Sequence, residues 1–278
     1  MNYFCATFHV AEEKAELLVA FLGDQGFEMF EEETGTLKAY VPVAAASEAE
    51  IRSGIETIDE EFTGTGWSLE LIPDQNWNAV WESSFSPVII ANRVSIRAPF
   101  HPAPSANLMD LVIEPKMSFG TGHHPTTSLM IQAMLDINWP NTNVLDMGCG
   151  SGVLAIVAEK LGANAVLAID IDDWAVENSQ ENCERNNCNQ IQTLKGNSSL
   201  ISGKKFSHIL ANINRNILLH DMHAYVDSLE NGGVLFMSGF LTQDKTVISA
   251  KAQELGLSPY QSLEQDNWMM LSFVKTIQ

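Results

Sequence analysis

The fold of this chain is decided by one stretch, Asn143-Val144-Leu145-Asp146-Met147-Gly148-Cys149-Gly150-Ser151-Gly152. Its apolar first half is typical of a buried strand in a parallel sheet. Three glycines follow at every second position, and an apolar helical face then runs on to Gly162. Glycine lets a ligand touch the backbone, and a helix start offers free N–H groups to an anion. The stretch therefore predicts the strand, turn and helix that begin a nucleotide-binding cleft.

The spacing of the glycines separates two kinds of cofactor-binding turn. A dinucleotide-binding turn has the pattern Gly-x-Gly-x-x-Gly, whereas the third glycine here comes one residue earlier, in Gly148-x-Gly150-x-Gly152. Asp170 lies 20 residues beyond Gly150, at the end of a second apolar run. A carboxylate in that place can accept hydrogen bonds from both hydroxyls of a ribose. The alternative is a glycine-rich turn of some other α/β protein, with Asp170 at a solvated strand end.

The length and charge of the chain indicate two domains of unequal charge. With 278 residues the chain can bury two cores. Its net charge of −20 argues against nucleic acid as the main partner. Residues 1–72 carry 15 Asp and Glu against 3 Lys and Arg, a net charge of −12, and the remainder carries 20 against 12, a net charge of −8. An acidic domain attracts a basic partner, although solubility alone also explains such a surface.

Cysteine use and hydropathy indicate a cytoplasmic protein. The four cysteines form no Cys-x-x-Cys pair, so we expect reduced, structural thiols. No run approaches the roughly 18 apolar residues of a membrane span. The N-terminus has no basic segment followed by an apolar core, so we expect no secretion signal and no membrane contact.

The first 72 residues have the element order of a small α+β domain. Ser47 and Glu50 form a capping box that predicts the start of a helix. The predicted elements are a strand over 3–10, a helix over 11–25, strands over 27–30 and 37–43, a helix through Ile51, Ile55, Ile58 and Phe62, and a strand over 67–72. This β-α-β-β-α-β order predicts a ferredoxin-like domain, a fold that hosts many functions.

A connector and a glycine-rich loop precede the central stretch. Residues 73–86 are predicted to be a connector in which Trp77 and Trp81 share a helical face; packing against a domain is favoured there over stacking on a ligand. Single strands are predicted over 88–97 and 108–113. The loop Met117-Ser118-Phe119-Gly120-Thr121-Gly122-His123-His124-Pro125-Thr126-Thr127-Ser128 then leads into a helix with Pro125 as its first residue. The hydroxyl groups of this segment either bind a ligand or only cap the start of the helix.

The histidines do not indicate a metal site. His123 and His124 are adjacent, and His220 and His223 are three residues apart. Neither pair has a third ligand at a recognisable spacing, so we predict no bound metal.

The remainder of the chain alternates strands with helices. Strands are predicted over 165–169, 191–194, 206–211, 233–237 and 268–274, with a polar helix over 173–187 and further helices through 217–226 and 247–255. Such alternation predicts a doubly wound parallel sheet. Asn212 follows the strand over 206–211, which places it at the mouth of the cleft, outside the carboxyl ends of the strands.

From about Asp74 to the C-terminus these motifs resemble one family, the bacterial ribosomal protein L-eleven methyltransferases, which are class I S-adenosylmethionine-dependent methyltransferases. The resemblance rests on Trp77 and Trp81, the loop over 119–127, Asp146-x-Gly148-x-Gly150-x-Gly152, Ala168-Ile169-Asp170-Ile171-Asp172 and Ala211-Asn212-Ile213. The loop is its most specific part, because the glycine triplet is shared by a whole superfamily. Residues 1–72 match in length and element order only.

The resemblance implies an architecture and an activity. It implies a substrate-docking ferredoxin-like domain over 1–72, a helical linker over 73–86 and a seven-stranded Rossmann-like methyltransferase domain over 87–278. It also implies methyl transfer from S-adenosylmethionine to amines, namely lysine side chains and the N-terminus, of a basic protein of the large ribosomal subunit. We expect a monomer with no direct contact to nucleic acid.

The resemblance also assigns cofactor-binding residues. It implies that Thr127, Gly148, Asp170 and Asn212 contact S-adenosylmethionine, and the turn places Gly150 close by. The carboxamide of Asn212 is suited to orient the attacking amine. We name no catalytic base.

Three alternatives stay open at this point. One is an NAD-dependent oxidoreductase, against which the early third glycine and the position of Asp146 both count. Another is a methyltransferase that acts on a different protein or on RNA; the absence of Asn-Pro-Pro-Tyr at Asn212 weakens glutamine or base methylation. The third is a protein-binding module that has kept the fold without catalysis.

Overall fold

The chain divides into two compact units, Met1–Ser84 and Phe85–Gln278. The structure is a computed structural model, which describes residues 2–62, 66–73, 85–105, 107–116 and 118–276. The boundary between the units falls within the predicted connector over 73–86. Trp77 and Trp81 lie outside the described residues, so the helical linker and the packing of its tryptophans stay predictions.

The first unit has the predicted β-α-β-β-α-β order. Its elements are β1 (Tyr3–His9), α1 (Glu12–Asp24), β2 (Met29–Glu33), β3 (Thr36–Pro42), α2 (Glu48–Phe62) and β4 (Trp67–Ile72). The sheet order is β2-β3-β1-β4, and β1 pairs antiparallel with both of its neighbours. This confirms the small ferredoxin-like domain.

Two sequence patterns explain why this unit folds as it does. In β3 every second residue is buried, because Leu37, Ala39 and Val41 face the helices while their neighbours do not. At the start of α2 the backbone N–H and the hydroxyl of Ser47 both donate to the Glu50 carboxylate, at 2.9 and 2.6 Å. The predicted capping box is therefore confirmed.

The second unit contains a small sheet and a large one. Its elements are β5 (Val88–Ile90), β6 (Val94–Arg97), β7 (Met109–Val112), α3 (Pro125–Met134), β8 (Asn143–Met147), α4 (Val153–Lys160), β9 (Ala165–Asp170), α5 (Asp173–Arg185), β10 (Ile191–Lys195), β11 (Phe206–Asn212), α6 (Arg215–Ser228), β12 (Leu229–Leu241), α7 (Lys245–Glu254), β13 (Leu257–Gln265) and β14 (Trp268–Lys275). The seven-stranded sheet has the order β10-β9-β8-β11-β12-β14-β13. Strands β8 to β12 are parallel, and β14 runs antiparallel to both of its neighbours. The predicted doubly wound, seven-stranded sheet is confirmed.

Helices cover both faces of this sheet. Along β8, Val144 packs into the cluster that contains α3 and α4, and the next residue, Leu145, packs into the cluster that contains α6 and α7. Since successive side chains of a strand point to opposite faces, each face has its own apolar layer. The carboxyl edge of the parallel strands is the part of the sheet that helices leave open.

The sequence-based prediction of one strand over 88–97 is wrong. The segment forms a hairpin of β5 and β6, which pair antiparallel on either side of a turn. The turn residues Ala91 and Asn92 have positive φ, 49° and 53°. Alanine is rare in that conformation, and a turn containing it lacks the usual glycine signal.

Strand β13 has no counterpart among the elements predicted one by one. It is an edge strand in which only Leu257 is buried, so it lacks the apolar alternation of a half-buried strand. It also contains Pro259, next to a break in the pairing register with β14, where a strand tolerates proline. Asp266 and Asn267, both at positive φ, form the turn that joins the two strands.

Among the described residues, no helix combines the length and the apolar composition that a membrane crossing requires.

Candidate functional site

A cavity of about 280 Å³ lies at the carboxyl ends of the central parallel strands. The ends of β9 and β11 and the turns that follow β8, β9, β10 and β11 form its wall, with Gly148, Gly150, Asp170, Ile171, Asp172, Gly196, Asn197, Ser198, Asn212, Ile213 and Asn214. Open α/β sheets bind their ligands at this edge. Four of the five predicted cofactor-binding residues, Gly148, Gly150, Asp170 and Asn212, therefore line one cavity.

The glycine turn leaves no room for side chains. Gly148 and Gly150 both have positive φ, 73° and 54°. A Cβ atom on Gly150 would lie under 3.0 Å from the backbone carbonyl oxygen of Phe119, and one on Gly148 equally close to Ile213. A side chain at either position would therefore clash with the segments that pack against the turn.

Asp170 ties the glycine turn to the end of β9. One oxygen of its carboxylate accepts the N–H of Gly150 at 2.9 Å, and the other accepts the N–H of Asp172 at 3.2 Å. A carboxylate has about four lone-pair sites, so both oxygens keep acceptor capacity toward the cavity. That arrangement suits a diol such as a ribose.

The start of α4 differs from a phosphate-binding helix start. Gly152 caps the helix at φ 78°, and Val153, which stands where a dinucleotide-binding turn has its third glycine, is buried. The N–H of Ala155 in the first turn donates to the Asp146 carboxylate at 3.0 Å. The helix start therefore offers an anion fewer free N–H groups than an unoccupied helix start would, because the Asp146 carboxyl group accepts the Ala155 N–H.

Asp146 is fully buried beside the turn. Burial raises the pKa of its carboxyl group to about 7, the charge of Asp170 adds to the rise, and the Ala155 N–H opposes it. The second oxygen of Asp146 has no hydrogen-bond partner among the described residues. The carboxyl group therefore keeps its proton through the acidic range and loses it only near pH 7.

This burial predicts a pH dependence of stability. The folded protein holds the Asp146 proton more tightly than the unfolded chain does. The stabilisation that this proton gives is therefore fully present below the ordinary pKa of 3.8 and is lost as the pH rises to about 7. The total change is on the order of 4 kcal/mol. Asp146→Asn keeps an oxygen for Ala155 and removes the titration, so its free energy of unfolding should fall less between about pH 4 and about pH 7. Urea unfolding at both pH values measures the free energy of unfolding. An equal fall in this free energy between the two pH values for both proteins would contradict the prediction.

The loop over 118–124 ends in the predicted helix start. Helix α3 begins at Pro125, and the ring of His124 caps it by accepting the Thr126 N–H at 3.3 Å. Thr127 is completely buried, and its hydroxyl has no partner among the described residues. It is absent from the described lining of the cavity, so its contact with a cofactor stays a prediction.

A second cavity of about 260 Å³ adjoins the first. Phe119, Asn212, Ile213 and Asn214 line both, and His124, Thr126, Gly239 and Trp268 complete the second wall. The centroid of the His124 ring is 4.6 Å from that of Trp268 and 5.1 Å from that of Phe119. We call this cavity the aromatic groove. Burial lowers the pKa of His124, which favours its neutral form.

Asn212 stands where the two cavities meet. The oxygen of its carboxamide is buried and has no hydrogen-bond partner among the described residues. Burying such an acceptor without a partner costs about 1–3 kcal/mol, and a bound group that donates a hydrogen bond would recover this energy. Asn212 lies in the wall of both cavities, and its role in orienting an amine stays a prediction.

His123 and His220 each form a hydrogen bond with a different group of the protein. His123 lies 2.9 Å from the Ser86 carbonyl oxygen, whereas His220 pairs with Asp221 at 2.6 Å. In the described part of the chain, no three His, Cys, Asp or Glu side chains converge as a metal site would require.

Several cavity residues were missed from the sequence. Ile217, Asp221 and Tyr225 line the cavity from α6 at intervals of four residues, so they share one helical face. That spacing was available, but Asp221 and Tyr225 have no motif of their own. Trp174 and Asn197 were missed too, although each comes just after a parallel strand, where ligands bind.

The charges around the cavity have one sign. Its described lining contains Asp170, Asp172 and Asp221 and no lysine, arginine or histidine. A dinucleotide carries two phosphate charges that such a wall would repel, whereas a cationic ligand is attracted. The electrostatics therefore favour a positively charged cofactor.

Comparisons with known proteins agree with this geometry. The sequence model of the family "Ribosomal protein L11 methyltransferase (PrmA)" matches residues 6–276, which includes the first unit. The ribosomal protein L11 methyltransferase of Porphyromonas gingivalis is 45% identical and covers 94% of this chain and 91% of its own length. That of Bacteroides thetaiotaomicron is 42% identical, with 98% and 99% covered.

A solved structure supports the same assignment. The ribosomal protein L11 methylase from Lactobacillus delbrueckii subsp. bulgaricus superposes with a TM-score of 0.64 at 26% identity, over 69% of this chain and 100% of that one. The resemblance seen in the motifs is thus confirmed, and it extends to the N-terminal residues. The chain is a methyltransferase and belongs to the ribosomal protein L11 methyltransferase family.

Proposed function

We propose that this enzyme transfers methyl groups from S-adenosylmethionine to amines of ribosomal protein L11, both lysine side chains and the N-terminal amine. The observation that carries the proposal is the shared wall at Asn212, where an acid-lined nucleoside cavity meets the aromatic groove. The names of the relatives support the same substrate. The proposal keeps the expectation of a cytoplasmic monomer that makes no direct contact with nucleic acid.

The residues present fit S-adenosylmethionine. Asp170 has acceptors for the ribose hydroxyls, and the bare peptide at Gly148 and Gly150 suits the amino-acid end. Ile171, Trp174 and Ile217 are exposed apolar side chains in the cavity wall, suited to the adenine ring. The acidic wall complements the sulfonium charge. The cofactor, when bound, supplies an electrophilic methyl group.

The task left to the protein is to present a neutral amine in line with that methyl group. A lysine amine has a pKa of about 10.4, so only about one in 2,500 is neutral at pH 7, and neutralising it costs roughly 4–5 kcal/mol. An N-terminal amine, with a pKa of about 8, costs only about 1–1.5 kcal/mol. The apolar rings of the aromatic groove exclude water from the amine and so favour its neutral form.

Alignment is assigned to Asn212. Its unpartnered oxygen accepts an N–H of the incoming amine and holds the nitrogen lone pair toward the cofactor cavity. His124 is held neutral in the groove wall, so it adds no positive charge that would oppose an ammonium group on its way in. The proton leaves to solvent, and we assign no catalytic base.

Two alternatives are weaker on specific grounds. An NAD-dependent oxidoreductase would need a phosphate site, but the Ala155 N–H is occupied by Asp146 and the cavity wall is acidic. Affinity for nucleic acid rests on contacts between cationic side chains and phosphates. This protein has a net charge of −20, which disfavours an RNA substrate.

A transfer assay tests the proposal. The purified chain is incubated with S-adenosylmethionine labelled at the methyl group and with intact ribosomal protein L11, and the product is mapped by mass spectrometry. We expect label on lysine side chains and on the N-terminal amine. Label on glutamine, or binding of the cofactor with no transfer to L11, would reject the proposed substrate.

The acidic first domain is proposed to attract the basic substrate. Glu32, Glu56 and Glu70 are exposed, and replacing all three with glutamine changes the net charge of residues 1–72 from −12 to −9. Because long-range attraction acts mainly on the association rate, the KM for L11 should rise about two- to tenfold at low salt, while the Kd for S-adenosylmethionine stays the same. Steady-state kinetics at two salt concentrations measure this.

A matched control separates local charge from total charge. Glu177, Glu184 and Glu264 are exposed in the second unit, and changing them to glutamine removes the same number of negative charges. The control should leave the KM for L11 nearly unchanged. An equal rise in both triple variants would contradict docking by the first domain.

A further inference from the structure

The inward face of α5 carries amides where apolar side chains are the rule. Asn178 and Asn182 are fully buried, and Asn186, which ends the helix, is 5% exposed. Buried polar groups need hydrogen-bond partners. Here most of the partners belong to the segment of chain that leads from β7 into the loop over 118–124. We call these three residues the asparagine ladder.

The ladder fastens that segment at successive points. Asn186 accepts the N–H of Val112 at 2.9 Å and donates to its carbonyl oxygen at 2.7 Å. Asn182 accepts the N–H of Glu114 at 2.9 Å. The chain bends near Lys116, and Asn178 then donates to the Ser118 hydroxyl. Two ion pairs flank the ladder, Arg185 with Glu114 at 3.0 Å and Lys116 with Glu181 at 2.7 Å.

The spacing of the first two points is geometrically matched. Two residues of extended chain advance about 6.6 Å, and four residues of helix advance about 6 Å. Val112 and Glu114 are two residues apart, and Asn186 and Asn182 are four apart on one helical face. The edge of β7 is thus satisfied by side-chain amides in place of another strand.

The segment fastened in this way ends on the glycine turn. The Phe119 carbonyl oxygen accepts the N–H of Ser151 at 2.8 Å, and the Gly120 carbonyl oxygen accepts the Ser151 hydroxyl at 2.8 Å. Asn182 donates to the Ser151 carbonyl oxygen at 2.9 Å and to Asn178 at 3.2 Å. Ser151 is therefore held by the loop on one side and by the ladder on the other.

Phe119 is the residue whose position depends on this arrangement. Its side chain lines both the cofactor cavity and the aromatic groove. Its carbonyl oxygen lies where a Cβ atom of Gly150 would be. A shift of the Phe119 peptide would change the boundary between the two cavities and the shape of the turn together.

The geometry points to Asn178 and Asn182 as positioning residues for methyl transfer, which hold Phe119 and Ser151 so that the cofactor and the amine meet in line. This inference rests on the proposed function, since it takes the first cavity as the S-adenosylmethionine site and the groove as the amine site. Asn186 is not included, because its amide bonds the backbone of Val112 and the backbone carbonyl oxygen of Asn182 and contacts neither Ser118 nor Ser151.

The experiment compares Asn178→Ala, Asn182→Ala and Asn186→Ala in the full chain. All three remove a buried amide from one face of one helix, so all three should lower the melting temperature. Only the first two should raise the Kd for S-adenosylmethionine and lower kcat, each by about tenfold or more, because small misplacements of reacting groups have large effects on rate. Calorimetry and transfer assays are run at a temperature where circular dichroism shows every variant folded.

A fourth variant tests the same contact from the loop side. Ser118→Ala should lower kcat as Asn178→Ala does, and the double variant should be no worse than either single one, because both act through one hydrogen bond. Ser118→Ala also keeps the test available if an asparagine variant fails to fold. Additive losses would overturn the inference, as would an Asn186→Ala variant with the same kinetic losses. An unsubstituted chain that fails to bind S-adenosylmethionine would instead reject the proposed function.

Discussion

Replacing Gly150 with alanine should destabilise the second unit by about 2–6 kcal/mol and abolish measurable binding of S-adenosylmethionine. A Cβ atom at φ 54° would press on the Phe119 carbonyl oxygen, which is backbone and already accepts the Ser151 N–H. Backbone strain of this kind costs about 1–3 kcal/mol, and overpacking costs a further 1–3 or so. Urea unfolding and titration calorimetry measure the two effects.

Gly203→Ala is the matched control for that variant. Gly203 has a positive φ of 75°, but no atom lies within 4 Å of the place where its Cβ would be. The control therefore keeps the backbone strain and lacks the clash. If both variants lost the same stability and Gly150→Ala still bound the cofactor, the close approach of the loop to the glycine turn would be wrong.

Replacing Asp170 with alanine should weaken the binding of S-adenosylmethionine by about 3–6 kcal/mol, or roughly 150- to 25,000-fold in Kd. Two hydrogen bonds from ribose hydroxyls to a charged acceptor would be lost, each worth about 1.5–3 kcal/mol. The Gly150 N–H would also lose the carboxylate that holds the turn to the end of β9. Titration calorimetry on the full chain gives the Kd of both proteins.

Asp172→Ala shows whether charge alone explains such a loss. Asp172 lines the same cavity and carries the same charge, but it is exposed and its side chain makes no capping bond to α5. Its removal should change the Kd only a fewfold, as expected for an exposed charge worth at most about 1 kcal/mol. Equal losses for Asp170→Ala and Asp172→Ala would contradict the assignment of the ribose to Asp170.

The glycine turn and Asp170 could be predicted from the sequence because their geometry is local. Positive φ at alternating positions demands glycine, and a strand that ends in Asp170 brings its carboxylate to the same edge as the turn. Asn212 was assigned by the family resemblance, and its position agrees, since it ends β11, the strand beside β8. These residues depend on strand order and need no knowledge of side-chain packing.

The asparagine ladder could not be predicted in the same way. The sequence over 173–187 indicates a polar helix, and a polar helical face normally faces solvent. Asn178 and Asn182 are instead the buried face, because their partners are a strand edge and a turn that are distant in sequence. Strand β13 could not be predicted because it is an edge strand, whose position depends on its pairing with β14. The β5–β6 hairpin could not be predicted because its turn contains no glycine.

For Thr127 only part of the prediction could be made from the sequence. The family resemblance assigns it to the cofactor, but its buried hydroxyl is missing from the described lining of the cavity. Local sequence fixes only its place in the first turn of α3. Its contact with the cofactor stays a prediction.

The most direct test of this account is an equilibrium titration of the unsubstituted chain with S-adenosylmethionine and, in parallel, with NAD. The acid-lined cavity, the ribose acceptor and the occupied helix start predict saturable binding of one S-adenosylmethionine per chain and no heat from NAD at the same concentrations. Binding of NAD in preference to S-adenosylmethionine, or no binding of either, would contradict it.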